Sequence, residues 1–274
     1  MLSISIGPLS LPVNTAFTVF MILSFWSLTY LFTRNKIKAG KATDHIFSAV
    51  LVGVLAARVV FVLALWDVYQ QNWLSIIDIR DGGFNAPLGW FAGIMFLMFA
   101  SRGKREQMSA YLKAAGIALA ISTPLFFANL LLSKDQTLSP LPLEDAKGNS
   151  VNLEEFTGKP VVINFWASWC PPCRREMPVF VAAEQEYTDV MFVFVNQQES
   201  PAKALRFLSE NNLQLQNVFF DPMGLAAQDV GVSGLPSTLF FDSDGHLISS
   251  HMGELSKATL SHYLQKFQSD SAQF

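Results

Sequence analysis

A chain of 274 residues has room for about two domains. Two cysteines exclude a zinc site built from cysteine alone, and a formal net charge of −3 speaks against a nucleic-acid binder. Charge is divided unevenly: residues 1–132 carry a balance of +5 and residues 133–274 one of −8, so the acidic half offers no basic stripe for nucleic acid.

In the first half, apolar runs cover roughly 11–33, 46–66, 84–100 and 114–132. Each is close to the ~20 residues a helix needs to cross a bilayer. Four transmembrane helices are the simplest count. A re-entrant third segment opening near Pro87 is the alternative. The 34–45 connection carries Arg34, Lys36, Lys38 and Lys41, and the 101–107 connection carries Arg102, Lys104 and Arg105. The 67–83 connection sets Asp67, Asp78 and Asp81 against Arg80 alone. Basic loops stay cytoplasmic, so four spans put the amino terminus, the 67–83 loop and everything after residue 133 outside. The first apolar run has its positive charges after it, the reverse of a signal peptide, and is expected to be a retained anchor.

After a polar linker, "SKDQTLSPLP" (133–142), short β-rich runs alternate with helical ones. "VVINFWA" and "VMFVFVN" are expected to be buried strands. "STLFFDSDG" with "HLISSHMG" predicts a hairpin turning at Asp244-Gly245. "RREMPVFVAAEQEY" and "PAKALRFLSENN" predict helices, the first kinked at Pro178. A β-α-β order followed by β-β-α implies a mixed sheet with helices on both faces.

Cys170 and Cys173 lie where the first buried strand passes into a helix. Backbone N–H groups and the dipole at a helix start favour an anion, so a thiol there ionises readily, and Cys170 is the candidate nucleophile. Pro171 and Pro172 are tolerated at this point because the first helical residues have no intrahelical partner for an N–H. A structural staple, a zinc site completed by His246, His251 or His262, and inert thiols are the competing readings. A staple across two residues closes almost no loop, and the histidines lack the spacing of a second ligand pair. An exported CxxC pair serves exchange.

"GKPVVINFWASWCPPCRREMP" followed by "GLPSTLFFDSDGHL" resembles the membrane-tethered thioredoxin-like reductases of the TlpA and ResA type, over about residues 136–270. The resemblance implies an α/β thioredoxin-like fold and thiol–disulfide exchange outside the cytoplasm, with no cofactor. It implies that Cys170 attacks and Cys173 resolves the mixed disulfide. Glu176 matches the family's acidic residue, and is either a proton acceptor or an ordinary surface carboxylate. Asn164 stands where thioredoxin has a buried aspartate, and an amide cannot take a proton, which favours the first reading. Pro236 matches the family's cis-proline opposite the cysteines, with Leu235 before it, in a loop that pairs with an extended substrate segment. Trp169 is expected to flank the substrate groove, and Trp166 to be core. Arg174 and Arg175 either favour the thiolate or are solvated helix surface. Peroxiredoxins share the fold, but their Pro-x-x-x-Thr-x-x-Cys pattern is absent, with Ile163 at the proline position, Ser168 two residues before Cys170 and Trp169 immediately before it.

"ARVVFVLALWDVY" followed by "IRDGGFNAPLGWFAG" resembles the prolipoprotein diacylglyceryl transferases over about residues 46–100. Pro87 stands where that family carries a catalytic histidine, and its later arginine-bearing signature has no counterpart. The resemblance therefore implies a truncated, non-catalytic relative. Arg58 lies within a span, where a charge costs at least ~2.5 kcal/mol and faces a partner or a cavity. It binds a lipid headgroup in an inherited pocket, or it pairs with Asp67, Asp78 or Asp81 or snorkels outward.

The expected organisation is a transmembrane domain over 1–132, a linker over 133–142 and an extracytoplasmic thioredoxin-like domain over 143–274. The expected function is a membrane-anchored reductase of exported disulfide-containing proteins, in cytochrome c maturation or disulfide repair, in a bacterial inner membrane. An oxidase-like disulfide donor, a lipid- or lipoprotein-handling protein with an accessory redox domain, and a non-enzymatic membrane scaffold are the alternatives. With no cysteine in the membrane half, electrons must come from a cysteine-bearing membrane thiol reductase or a soluble donor. Membrane lipids are the remaining expected partners.

Overall fold

A computed structural model of the chain describes residues 3–6, 9–34, 39–70, 73–132, 137–138, 143–151, 153–156 and 158–271. The chain separates into two compact units. One comprises Val13–Ile77 and Gly83–Ser133. The other comprises Met1–Pro12, Asp78–Gly82 and Lys134–Phe274.

The first unit is helical. Helices α1 (Val13–Thr33), α2 (Ala39–Ala64), α4 (Ala86–Ala100) and α5 (Arg105–Leu132) correspond to the four apolar runs, and a single turn, α3 (Trp66–Tyr69), follows α2. Three of them, α1, α2 and α5, are long and apolar enough to cross a membrane. Helix α4 has 15 residues, ~22 Å of rise, so it is an apolar helix below full spanning length. It starts at Asn85, whose side chain accepts the Leu88 N–H at 3.2 Å, with Pro87 in the first turn, where its missing N–H costs nothing. Small residues let α2 and α4 approach closely. A Cβ on Gly89 would lie 2.9 Å from both the Ala57 Cβ and the Gly53 carbonyl oxygen, and one on Gly93 would lie 3.0 Å from the Ala49 oxygen. Close backbone contact of this kind replaces the hydrophobic drive that lipid does not supply.

The second unit contains a two-stranded hairpin, β1 (Ser3–Ile6) with β2 (Leu9–Pro12), and a seven-stranded mixed sheet. The sheet strands are β3 (Leu143–Glu144), β4 (Ser150–Val151), β5 (Val161–Trp166), β6 (Met191–Gln197), β7 (Asn217–Asp221), β8 (Ser237–Phe241) and β9 (Leu247–Met252), in the order β4-β3-β7-β6-β5-β8-β9. Strands β5, β6 and β7 are parallel, while β8 runs antiparallel to β5 and β9 antiparallel to β8. Helices α6 (Pro171–Glu186), α7 (Pro201–Glu210), α8 (Leu225–Asp229) and α9 (Lys257–Ser271) cover it.

Alternation along the strands divides the core. Val162 and Trp166 of β5 and Phe192 and Phe194 of β6 share a cluster with Met177 and Phe180 of α6 and Leu260 and Leu264 of α9. Val161, Ile163 and Phe165, with Val193 and Val195, pack on the other face with Ala226 and Ala227 of α8. A strand buried on both faces reads as an unbroken apolar run, which is why β5 and β6 stand out in the sequence. The predicted turn at Asp244-Gly245 joins β8 to β9: Gly245 has φ of 82°, a conformation that suits glycine, and Asp242 Oδ1 accepts the N–H groups of Asp244 and His246. Most of the expected linker lies outside the described residues. Thr137 and Leu138 are described and run beside the β8–β9 turn, Thr137 bridging to His246. Pro178 lies inside α6, which continues through it.

Candidate active site

The three parallel strands deliver their carboxyl-terminal ends, and the loops after them, to one edge of the sheet. From β5 the chain makes a tight turn, Ala167–Cys170, closed by the Cys170 N–H on the Ala167 carbonyl at 3.2 Å, and enters α6. Cys170 is the N-cap of α6, and its Sγ accepts the Cys173 N–H at 3.3 Å. Pro171 and Pro172 occupy the first two helical positions without loss of a helical hydrogen bond. The two sulfurs are joined, with Cα atoms 5.3 Å apart. Cys173 is fully buried, and Cys170 retains 3% exposure.

One turn along α6 from Cys173, Glu176 points into the core and is fully buried. The side chain is therefore not the ordinary surface carboxylate that one of its two sequence readings supposed. Oε1 accepts from Asn164 Nδ2 at 2.9 Å, and Oε2 accepts from the Leu255 N–H at 2.9 Å. Asn164 sits on the same face of β5 as Val162 and Trp166, and also donates to Thr238 Oγ1 at 3.0 Å. Removal from water raises the Glu176 pKa to about 8, and the charge of Glu254 pushes it the same way. The two hydrogen bonds offset only part of this.

The Leu235–Pro236 peptide is cis and leads directly into β8, where Ser237 stands opposite Phe165. This register brings Pro236 to the end of β5 from which the cysteine turn departs. Leu235 packs against the cluster that contains both cysteines. Trp169 is 55% exposed beside Cys170, whereas Trp166 is fully buried. Arg174 lies over the Phe207 ring, 5.3 Å from its centroid, and Arg175 pairs with Glu254 at 2.6 Å. Arg58 belongs to the helical unit. It is buried there and donates to the carbonyl oxygens of Ser75 (3.0 Å), Ile76 (3.2 Å) and Gly83 (2.9 Å), with Tyr69 and Phe84 rings within 6 Å.

Sequence reasoning missed two buried carboxylates at this edge. Glu199, after β6, accepts from Ser168 N, Ser168 Oγ, Asn196 Nδ2 and Lys203 Nζ. Asp221, at the end of β7, accepts the N–H groups of Leu225 (2.9 Å) and Ala227 (3.0 Å) and so fixes the start of α8. An isolated acid at a strand end carries no pattern that separates it from a solvated one. The only available signal is its place immediately after an apolar run.

A strand–turn–helix carrying a cysteine pair across two prolines, on a mixed sheet with a cis-proline loop at the same edge, defines a thioredoxin-like thiol-disulfide oxidoreductase. Comparison with known proteins narrows the class. Residues 131–266 match the Redoxin family model, and residues 3–128 match the Prolipoprotein diacylglyceryl transferase model. The chain is 32% identical over 124 residues to the thiol-disulfide oxidoreductase ResA of Bacillus thuringiensis subsp. konkukian, covering 44% of this chain and 71% of that one. It is 32% identical over 145 residues to ResA of Halalkalibacterium halodurans, covering 51% and 81%. Against the thiol:disulfide interchange protein HelX of Rhodobacter capsulatus, identity is 29% over 150 residues, covering 55% and 84%. A crystal structure of a thiol:disulfide interchange protein DsbE from Chlorobium tepidum aligns with a TM-score of 0.45 at 28% identity, covering 50% and 98%. Through its carboxyl-terminal half, the chain belongs to the ResA family of thiol-disulfide oxidoreductases. Ahead of that half, the region that matches the diacylglyceryl transferase model contains three helices long and apolar enough to cross a membrane.

Proposed function

We propose that the protein is a membrane-anchored reductase of disulfides in exported polypeptides. The observation that carries this reading is the cysteine pair at the start of α6 with a buried carboxylate, Glu176, one turn behind it. In the proposed reaction the Cys170 thiolate attacks one sulfur of a substrate disulfide, and the substrate's other sulfur leaves as a thiolate that takes a proton from solvent. Cys173 then gives its proton to Glu176 and attacks Cys170 Sγ. The second substrate sulfur departs as a thiolate and is protonated in turn. Two electrons pass from the enzyme dithiol to the substrate, leaving the Cys170–Cys173 disulfide.

A carboxyl near 8 suits this exchange. Burial raises the Glu176 carboxyl to about 8, so its ionised form is a stronger base than an ordinary carboxylate and a better acceptor for a thiol proton. Trp169, Leu235 and Pro236 form the substrate-binding edge, where an extended segment pairs with the backbone before β8. The names of the relatives, ResA and HelX, support exchange on disulfides, and cytochrome c maturation is the pathway we favour for the substrate.

The domain arrangement follows the charge pattern: a membrane domain over 1–132, a linker over 133–142 and a redox domain over 143–274 outside the cytoplasm. Helices α1, α2, α4 and α5 are the four crossings that this pattern requires, the shorter α4 packed on α2. Because the chain holds two cysteines, a cysteine-bearing membrane donor regenerates the dithiol. A second reading, lipid handling by the membrane domain, is favoured by the family match over residues 3–128. Arg58 is its candidate contact, and its three carbonyl acceptors support a role in holding the 75–83 loop in place as well.

Trapping tests the main reading. In cells, Cys173→Ser should accumulate exported proteins as mixed disulfides on Cys170, and Cys170→Ser should accumulate none. Equal yields from the two variants would contradict the proposed roles. In the wild type, the steady-state redox form separates a reductase from a disulfide donor: mostly reduced Cys170 agrees with the proposal, and mostly oxidised Cys170 opposes it.

A further inference from the structure

Ser168 and Trp169 are the two central residues of the turn that carries the chain from β5 to Cys170. A turn of this kind leaves the N–H of its second residue pointing away from its own backbone. Here that donor is not given to water. Ser168 N and Ser168 Oγ donate to Glu199 Oε2 and Oε1, each at 2.6 Å. Asn196 Nδ2 reaches Oε2 at 3.0 Å, and Lys203 Nζ reaches Oε1 at 2.9 Å. Ser168 and Glu199 are both more than nine-tenths buried. Burial alone would raise the Glu199 pKa, but the donors around it outweigh burial and hold it below the usual carboxylate range.

Four donors on two oxygens require the ionised carboxylate. An amide has a single acceptor oxygen, and its NH2 group would face an N–H, an O–H or the lysine ammonium. The loop after β6 is also anchored from its other side, where the Gln198 N–H donates to the Asp221 carbonyl at 3.0 Å. A rigid acceptor on one loop thus grips the backbone of the neighbouring loop two residues before the nucleophile.

We infer that Glu199 is a positioning residue for the exchange reaction: through Ser168 it fixes the turn that presents Trp169 and Cys170 to the substrate. It touches neither sulfur. Its effect reaches the chemistry by holding the Cys170 Sγ at the amino terminus of α6, where the thiolate is stabilised. The inference rests on the reading of Cys170 as the attacking thiolate.

A double-mutant cycle on the full chain tests it, with insulin disulfides as the protein substrate and folding checked by circular dichroism. Glu199→Gln should lower kcat at least about tenfold with KM within about twofold, and Ser168→Ala should lower kcat about threefold. The double variant should match Glu199→Gln within about twofold, because both act through one contact. Wild-type kcat in a folded Glu199→Gln protein would overturn the inference. So would a double variant whose loss is the product of the single losses, since Glu199 would then act apart from Ser168. Should Glu199→Gln not fold, Glu199→Asp, which keeps the charge but shortens the reach, completes the same cycle with the same expectations. Cys170→Ser, assayed alongside, must abolish turnover. Retained activity there would defeat the reading of the nucleophile, whatever the Glu199 variants do.

Discussion

Glu176 combines two properties that conflict in most carboxylates: complete burial and two hydrogen bonds, one to each oxygen. Its folded pKa of about 8 lies well above that of an exposed glutamate, which fixes the sign of its contribution to stability. Between the unfolded value of ~4.3 and about 8, the unfolded chain releases a proton that the folded chain retains. Stability of the oxidised protein should therefore fall as pH rises through that window and level off above it. Glu176→Gln should flatten this slope in melting curves recorded from pH 4 to 9. A variant that keeps the full wild-type slope would show that another group is responsible. The same substitution removes the proposed proton acceptor, so resolution of a preformed mixed disulfide should slow by ~100-fold, the lower end of general-base effects. Stopped-flow release of a labelled thiol measures it directly.

At the scale of elements, the α2–α4 pair depends on backbone approach at Gly53 and Gly89. A valine at Gly89 meets the Ala57 Cβ and the Gly53 oxygen, so the helices must separate. We expect Gly89→Val to destabilise the helical unit by ~1–3 kcal/mol, read as a lower thermal midpoint in detergent. An alanine at Gly116, where a Cβ meets nothing within 4 Å, should leave that midpoint unchanged. Elements such as β5, β6 and the β8–β9 hairpin were legible because burial on both faces and turn chemistry write themselves into local sequence. The helix carrying Cys170 was legible from its prolines. Burial of Glu176 was not, since it depends on Leu255, 79 residues away, and on which face of β5 Asn164 takes. The Glu199–Ser168 contact spans 31 residues between two loops, and no periodicity encodes it. Helix α4 shows the opposite limit: its apolar run was plain, yet composition alone did not reveal that it packs through glycine on α2.

For the molecule as a whole, one chain combines an apolar helical region that matches the diacylglyceryl transferase model with a ResA-type redox domain. As a reductase of the proposed kind it would draw on an outside electron source, because its two cysteines are both used in the Cys170–Cys173 pair. In cells lacking membrane dithiol donors, thiol trapping should find the pair mostly oxidised. A pair that stays reduced there would contradict the proposed route. The most direct test of the central claim is labelling of the reduced protein in right-side-out membrane vesicles with a membrane-impermeant maleimide. The account predicts modification of Cys170 without permeabilisation, faster as pH rises toward neutrality, and none in Cys170→Ser. Modification that appears only after the membrane is opened would place the dithiol on the cytoplasmic side and contradict it.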